Sequence, residues 1–311
     1  MRKVFVVQNP VSGTQSSEKI TQLVKTYLSD KGWSFDIHLT EENEDVASVV
    51  SKAAADGFNI FLAVGGDGTV SMVATGLKDT QLPLAIIPAG TGNGMARDLK
   101  IPLSLEKAIS LLDHPNNVRL LDAMEVNGHH YLLNLSVGLT PKALKESKRE
   151  EKQKLGRLAY FLSGLKAFVG IQPVNFVLEI DGEKHYTSAS EVILMNSVTL
   201  GDPGRFLSLD INVDDGVLDL FVIEAKTALD YLRVFWYLIM RKPNHDPDVE
   251  RYEVRKSLVI EGHKLLEVQA DGELIGYTPV RVTLAPQSVR MIVPPEEKPK
   301  LRLPSVRGVK F

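Results

Sequence analysis

The apolar run Phe61-Leu62-Ala63-Val64 ends in Gly65-Gly66-Asp67-Gly68-Thr69, an acidic side chain set among glycines. Two other apolar runs end in small, turn-forming residues, QNPVSG at 8–13 and PAGTGNG at 88–94. Glycines at such points let backbone N–H groups approach oxyanions, helped by the positive end of a following helix. Three such loops on one sheet edge read as a polyphosphate site. Neither GGDGTV nor GTGNGM has the Gly-Lys-Ser/Thr ending of a P-loop or the GxGxxG spacing of a dinucleotide fold. Asp67 then suits magnesium, directly or through water, because a bare carboxylate would repel phosphate oxygens. The alternative is that Asp67 only caps a helix beginning near Thr69.

The elements that position these loops are legible as patterns. Residues 1–112 alternate short apolar runs (KVFVV, SFDIHLT, NIFLAVGG, PLAIIPAG) with helical segments (SEKITQLVKTYLSDKG, DVASVVSKAAADG), the signature of a parallel sheet whose carboxyl edge carries the ligand. From Asp45 onward, Val46, Val49, Val50, Ala53 and Ala54 share one helix face, and Gly57 stops the helix. After about residue 118 the texture becomes strands broken by the turn pairs Asn127-Gly128, Asp181-Gly182, Asp215-Gly216 and Asp271-Gly272. The expected fold is an α/β N-terminal domain over 1–120, then an antiparallel β domain over 121–311. Helical insertions are expected near 141–169 and 226–241, and the tail after Pro294 is a loose end or a segment returning across a domain surface.

Length and composition agree with two domains: 311 residues, 44% hydrophobic and 24% charged. A formal net charge of -3 gives no polycation for nucleic acid. The absence of cysteine rules out disulfides and thiolate metal sites and fits a reducing compartment. MRKVFVVQNP is too short in its apolar part for a signal peptide, and YLRVFWYLIM at 231–240 is too short to span a bilayer. The expected location is cytoplasmic, with peripheral membrane contact. No histidine has zinc-site spacing, so His129, His130 and His245 read as structural or surface residues.

NPVSG at 9–13, GGDGT at 65–69 and PAGTGNGMARDL at 88–99 resemble the diacylglycerol kinase catalytic domain superfamily, which includes sphingosine kinases and bacterial soluble lipid kinases. NLSVGL (134–139), LGRLAYFLSGL (155–165), DDGVLDL (214–220), VQADGE (268–273) and TPVRVTLAPQSVRMIVP (278–294) resemble its second domain in the same order. The resemblance implies a three-layer first domain, a β-sandwich second domain and ATP in the cleft between them. It implies that Asn9, Ser12, Gly13 and Thr40 line the nucleotide, and that Gly65, Gly66, Asp67, Gly68 and Thr69 hold phosphates and magnesium. Thr91 and Asn93 would close the site. Glu273 would take the proton from a lipid hydroxyl, although Asp271-Gly272-Glu273 read by itself is a hairpin turn with an exposed carboxylate. Asp215 would hold a structural magnesium with carbonyls near Asn212 and Val217, and Asp214 or Asp219 could share that role.

One departure is Asn93-Gly94, where many diacylglycerol kinases have Asn-Asp. It weakens diacylglycerol as the specific substrate but not lipid kinase activity. The expected function is therefore ATP-dependent phosphorylation of a lipid hydroxyl, on diacylglycerol or a sphingoid base. Two alternatives stand beside it. One is an NAD kinase, which would call for Asn-Glu where this chain has Asn134-Leu135; the other is a lipid- or nucleotide-binding homologue without turnover. Residues 142–157, with seven Lys/Arg against three Glu, suit either an anionic lipid surface or a solvated helix face. LAYFLSGLKAF and ALDYLRVFWYLIM suit either a lipid cleft or core. A homodimer is left open.

Overall fold

The computed structural model describes residues 2–13, 16–138, 173–197, 211–227, 229–230, 233–234 and 247–295. The insertion expected at 141–169, the basic stretch 142–157, most of 226–241, His245 and the tail beyond 295 lie outside them.

The first domain alternates as its periodicity dictates. Strands β1 (Lys3–Gln8), β2 (Ser34–Leu39), β3 (Ile60–Gly65) and β4 (Pro83–Pro88) pair in parallel in the order β2-β1-β3-β4. The apolar strands β1, β3 and β4 are buried almost throughout, as a sheet covered on both faces requires. Helix α1 (Ser17–Asp30) buries Ile20, Val24 and Leu28 at i, i+4 and i+8, and the Ser16 hydroxyl accepts from the Lys19 N–H. Helix α2 (Val46–Ala55) buries Val46, Val50 and Ala53, with Val49 and Ala54 packed beside them. Its N-cap Asp45 accepts from the Ser48 N–H at 3.1 Å, and Gly57 ends it with φ +84°. Helix α3 (Asp67–Gly76) follows β3 directly, and the short helices α4 (Gly94–Asp98) and α5 (Leu105–Ile109) follow β4.

The second domain is a sandwich. One layer is a six-stranded sheet in the order β12 (Val249–Val254), β11 (Leu218–Ile223), β10 (Glu191–Met195), β7 (Asn134–Gly138), β14 (Glu267–Ala270), β15 (Glu273–Tyr277). The facing layer contains β5 (Val118–Val126), β6 (His129–Tyr131), β8 (Val174–Ile180), β9 (Glu183–Ala189), β13 (Ser257–Gly262) and β16 (Val280–Ile292). Leu135, Val137, Leu194 and Leu220 from one sheet meet Phe176, Leu178, Leu258 and Val282 from the other in a shared core. Three of the four turn pairs make two-residue hairpins with both φ values positive: Asn127-Gly128, Asp181-Gly182 and Asp271-Gly272. The fourth departs from that pattern. Only Gly216 is left-handed, and Asp215-Gly216 precedes β11 rather than joining two paired strands. Strand β12, whose VERYEV is too polar to stand out as a strand, has no counterpart in the sequence reading.

The facing layer is not separate from the first domain. Strand β16 pairs antiparallel with β13 and β5 and then parallel with β4, through Arg290↔Pro83 and Met291↔Leu84, so one ten-stranded sheet runs through both domains. Val280, Val282 and Leu284 pack in the sandwich core, whereas Val289, Met291 and Ile292 pack in the first-domain core. The register shifts between Ala285 and Val289, where Gln287 takes φ +50° and donates its N–H to the buried Asp122 carboxylate at 2.8 Å. The expected boundary at 120/121 falls inside β5.

Candidate active site

At the carboxyl edge of the first sheet the three loops touch backbone to backbone. A Cβ on Gly13, whose φ is +67°, would lie 2.1 Å from the Ala89 carbonyl oxygen, and one on Gly90 would lie 2.5 Å from Gly66 Cα. The first loop is stiffened by Asn9: its N–H donates to the Val64 carbonyl at 3.0 Å and its Oδ1 accepts from the Val11 N–H at 3.1 Å. Thr40 is tied alongside through its N–H to the Gln8 carbonyl at 2.9 Å. Only glycine permits these approaches. Gly90→Ala is accordingly expected to force the loops apart, at about 1–3 kcal/mol of overpacking, and to weaken nucleotide binding roughly tenfold. Isothermal titration with ATP and a thermal melt check this, and an unchanged dissociation constant would contradict it.

Helix α3 points its N-terminus into this junction. Its N-cap, Gly66, has no side chain to offer, so the N–H groups of the first turn remain oriented toward the loops with the positive end of the helix dipole. Asp67 is the first residue of the helix, with Gly66 as its N-cap, so the alternative in which Asp67 caps a helix beginning near Thr69 does not hold. Its carboxylate reaches the other way: Oδ2 accepts from the Gly94 N–H at 2.9 Å and Oδ1 from the Met95 N–H at 3.0 Å, which fastens α4 to the GGDGT turn. Each oxygen keeps a lone pair.

The neighbouring polar side chains are largely spoken for. Asn93, at φ +52°, accepts from the Gly90 N–H at 2.9 Å and donates to the Gly90 carbonyl at 2.8 Å, so it shapes the third loop from within. Thr69 is buried, and its hydroxyl stands where a Cβ on Gly65 would be, at 2.3 Å. Thr91 is exposed and Ser12 partly so.

Glu273 arrives from the second domain. It opens β15, and its Oε1 would lie 2.6 Å from a Cβ on Gly68, so the carboxylate occupies the space that glycine leaves over the first turn of α3. Gly68 belongs to a stripe of small polar residues, Gly68, Ser71 and Thr75, at i, i+3 and i+7 on the helix face turned to the second domain. Ser71 donates to Asp271 Oδ2 at 2.6 Å, and Thr75 accepts the His130 N–H at 2.9 Å. Ser71 and Asp271 were both missed as functional candidates. The stripe was the available signal, hidden in a window that also reads as an ordinary small-residue helix.

His130 is 3% exposed, and its Nδ1 finds no hydrogen-bond partner among the described residues. Burial pushes its imidazole below the ordinary value and Lys78 adds to this, while Glu125 and Asp79 oppose it. The folded protein thus holds a neutral ring that the unfolded chain would protonate. This stability is complete above about pH 6.5 and is lost as pH falls from there toward the depressed folded value, with a slope of up to about 1.4 kcal/mol per pH unit. Melts between pH 8 and pH 5 should show that fall, and His130→Asn should flatten it; equal slopes in both proteins would rule it out.

Residues 3–126 match the family model of the diacylglycerol kinase catalytic domain, and residues 135–293 match that of the YegS C-terminal NAD kinase beta sandwich-like domain. The chain belongs to the diacylglycerol kinase/YegS family. A diacylglycerol kinase of Bacillus subtilis is 26% identical over 97% of this chain and 99% of its own length. A Yersinia pestis protein named "Probable lipid kinase YegS-like" is 30% identical over 70% of this chain and 75% of its own. The crystal structure of a diacylglycerol kinase from Bacillus anthracis superposes with a TM-score of 0.76 at 26% identity, covering 94% of this chain and 98% of the other. These likenesses support a lipid kinase of the diacylglycerol kinase/YegS type.

In this YegS-type chain the acidic turn before β11 has its own set of partners. Asp215 is exposed and accepts the Val217 N–H at 3.1 Å; Asn212 is also exposed. Asp214 is engaged by Arg119 at 2.6 and 2.7 Å, which holds its carboxyl below the usual range. Asp219 is paired with Arg251 at 2.6 Å, yet burial pushes its carboxyl up. Each of these two carboxylates thus has an arginine partner, whereas Asp215 accepts a backbone N–H. Asp122, absent from the sequence reading, lies fully buried beneath this turn and accepts from the Gly216 N–H at 2.7 Å. Burial, and then Asp215 and Asp214, raise its pKa, against the two backbone N–H groups that lower it. Among the described residues, no three His, Cys, Asp or Glu side chains gather as a metal cluster, and no helix is long and apolar enough to cross a membrane.

Proposed function

We propose that this family member transfers the γ-phosphate of ATP to a hydroxyl of a lipid, diacylglycerol or a sphingoid base. The observation that carries the reading is the Glu273 carboxylate lying against Gly68, beside the open N-terminus of α3. A base and a phosphate cradle meet there from two domains.

The cradle fits phosphates because Gly13, Gly66 and Gly90 leave no Cβ between the loops and the first-turn N–H groups of α3 face them. Asn9, Ser12 and Thr40 lie beside the first strand's end, where they would line the nucleotide, with Gly65, Gly68, Thr69, Thr91 and Asn93 around the phosphates. The donor set also fits a magnesium ion: Asp67 offers a carboxylate with free lone pairs, and this ion usually takes one or two carboxylates plus water and phosphate oxygens. When bound, magnesium supplies charge neutralisation at the transferring phosphoryl group. Glu273 accepts the proton of the lipid hydroxyl as its oxygen bonds to phosphorus and ADP leaves. Such a transfer rests mainly on positioning and electrostatics, so a carboxylate suffices as base. Asp215, with the carbonyls of Asn212 and Val217, is the candidate for a second, structural cation.

The lipid is proposed to approach along β15, where Leu274 (49% exposed) and Tyr277 (56% exposed) follow Glu273. That leaves the acyl chains in a membrane touched peripherally by a cytoplasmic protein. The test is incubation of purified protein with labelled ATP, magnesium and a total lipid extract, with NAD in a parallel reaction. Labelling of a lipid is the expected result; labelling of NAD alone, or of nothing, refutes the reading.

A further inference from the structure

Glu273 is an exposed side chain on the first residue after a hairpin turn, and among the described residues no hydrogen bond within its own strand fixes it over Gly68. Asp271 does have the means to fix it. Its carboxylate turns inward from a backbone at φ +48° and takes two donors on each oxygen: Ser71 Oγ at 2.6 Å and the Leu132 N–H at 2.8 Å on Oδ2, and the Leu133 and Asn134 N–H groups at 2.9 and 3.1 Å on Oδ1. Its own N–H returns to the Asn134 carbonyl at 3.0 Å, and the Gly272 N–H is held by Gln269 Oε1 at 2.8 Å. Gln269 in turn donates to Asn134 Oδ1 at 3.2 Å and Ser136 Oγ at 3.3 Å.

This geometry is specific in two ways. First, four donors occupy the lone pairs of both oxygens, which leaves no open position for a cation or a substrate hydroxyl, so the group anchors rather than reacts, even though burial pushes its carboxyl up against those four bonds. Second, its side-chain donor among the described residues, Ser71, belongs to the first domain and sits three residues after Gly68 on the same face of α3. The β14–β15 turn therefore meets α3 at two points one helical turn apart, bonding Ser71 through Asp271 and lying over Gly68 through Glu273.

We propose that Asp271 is a positioning residue that clamps the β14–β15 turn to α3 and to the 132–134 segment, and so sets Glu273 over the phosphate loop. This rests on the reading of Glu273 as the base. A clamp differs from general structural support in that its effect passes through one side chain, which a double-mutant cycle detects.

The experiment compares the wild type with Asp271→Asn, Ser71→Ala and Glu273→Gln, and with each of the first two combined with Glu273→Gln. Diacylglycerol in mixed micelles is the acceptor, and kcat and KM are measured for ATP and lipid. In Asp271→Asn the amide NH2 is set against the Leu132 N–H if it takes the Oδ2 position, or against the Leu133 and Asn134 N–H groups if it takes the Oδ1 position, and kcat should fall about 100-fold with the KM for ATP changed less than about threefold. Ser71→Ala, conservative within a helix, should lose about 3- to 10-fold in kcat and remain folded. In the Glu273→Gln background either change should cost less than about threefold. Losses that multiply in that background would overturn the clamp.

If wild type and Glu273→Gln turn over equally, the base reading fails; if neither turns over, diacylglycerol is not the acceptor; in both cases hydrogen exchange judges the clamp without reference to activity. Asp271→Asn should then speed exchange both in a peptide covering 130–135 and in one covering 66–72. Faster exchange confined to 130–135 would mean that Asp271 supports only its own domain, and the clamp is wrong.

Discussion

Glu273→Gln is expected to reduce kcat by about 10²- to 10⁴-fold, the usual range for removing a positioned general base, with ATP affinity nearly unchanged. The substitution keeps the side chain's length and its place in the gap over Gly68, where a Cβ would come within 2.6 Å of Oε1, so the interdomain contact survives. The capacity to accept a proton is removed, together with the negative charge. Because the phosphate cradle is built from the first domain alone, nucleotide titration should give a dissociation constant within about threefold of wild type. A fall in ATP affinity matching the fall in kcat would assign Glu273 to nucleotide binding. Unchanged turnover would remove it from the mechanism.

Asp67→Asn should produce two separable losses, because the wild-type carboxylate has two distinct tasks available to it. One is mechanical: Oδ1 and Oδ2 both accept backbone N–H groups, from Met95 and Gly94. An asparagine can satisfy one of them while presenting its NH2 to the other, at a cost of about 1–3 kcal/mol in stability. The other task is charge. With no carboxylate at the head of α3, the magnesium dependence of ATP binding and turnover should shift to concentrations at least about tenfold higher. Thermal melts read the first loss and magnesium titrations of turnover read the second. A lower melting temperature with an unchanged magnesium requirement would make Asp67 a fastener of α4 and nothing more.

Gly94 acquires a meaning from the same contacts. The family often has Asp at this position, whereas here the buried Gly94 gives its backbone N–H to Asp67. Its lack of a side chain leaves Asp67 as the carboxylate at this point of the junction.

How much of this could be read beforehand depended on the range of the interaction. The α/β alternation, the stop at Gly57 and three of the four Asn-Gly and Asp-Gly turns are set by neighbours within a few residues, and the sequence carries them openly. The polar β12 escaped because strand patterning weakens where neither face is strongly apolar. The glycine loops were recognisable as candidates for phosphate binding, but not the reason each glycine is needed, since Gly13 meets Ala89 and Gly90 meets Gly66 only after the strands align.

Legible along the chain are most of the local elements, the glycine-rich strand ends, the family likeness and the presence of a carboxylate in the 271–273 turn. The tertiary structure alone decided that Asp67 fastens α4, that Asp122 lies buried under the 214–216 turn, that β16 joins two domains in one sheet, and that Asp271 reaches Ser71 across 200 residues of chain. The physical reason is that a single buried polar contact has no period and no neighbouring signature. Its partner is chosen by sheet register and helix docking, which take shape only when the whole core packs.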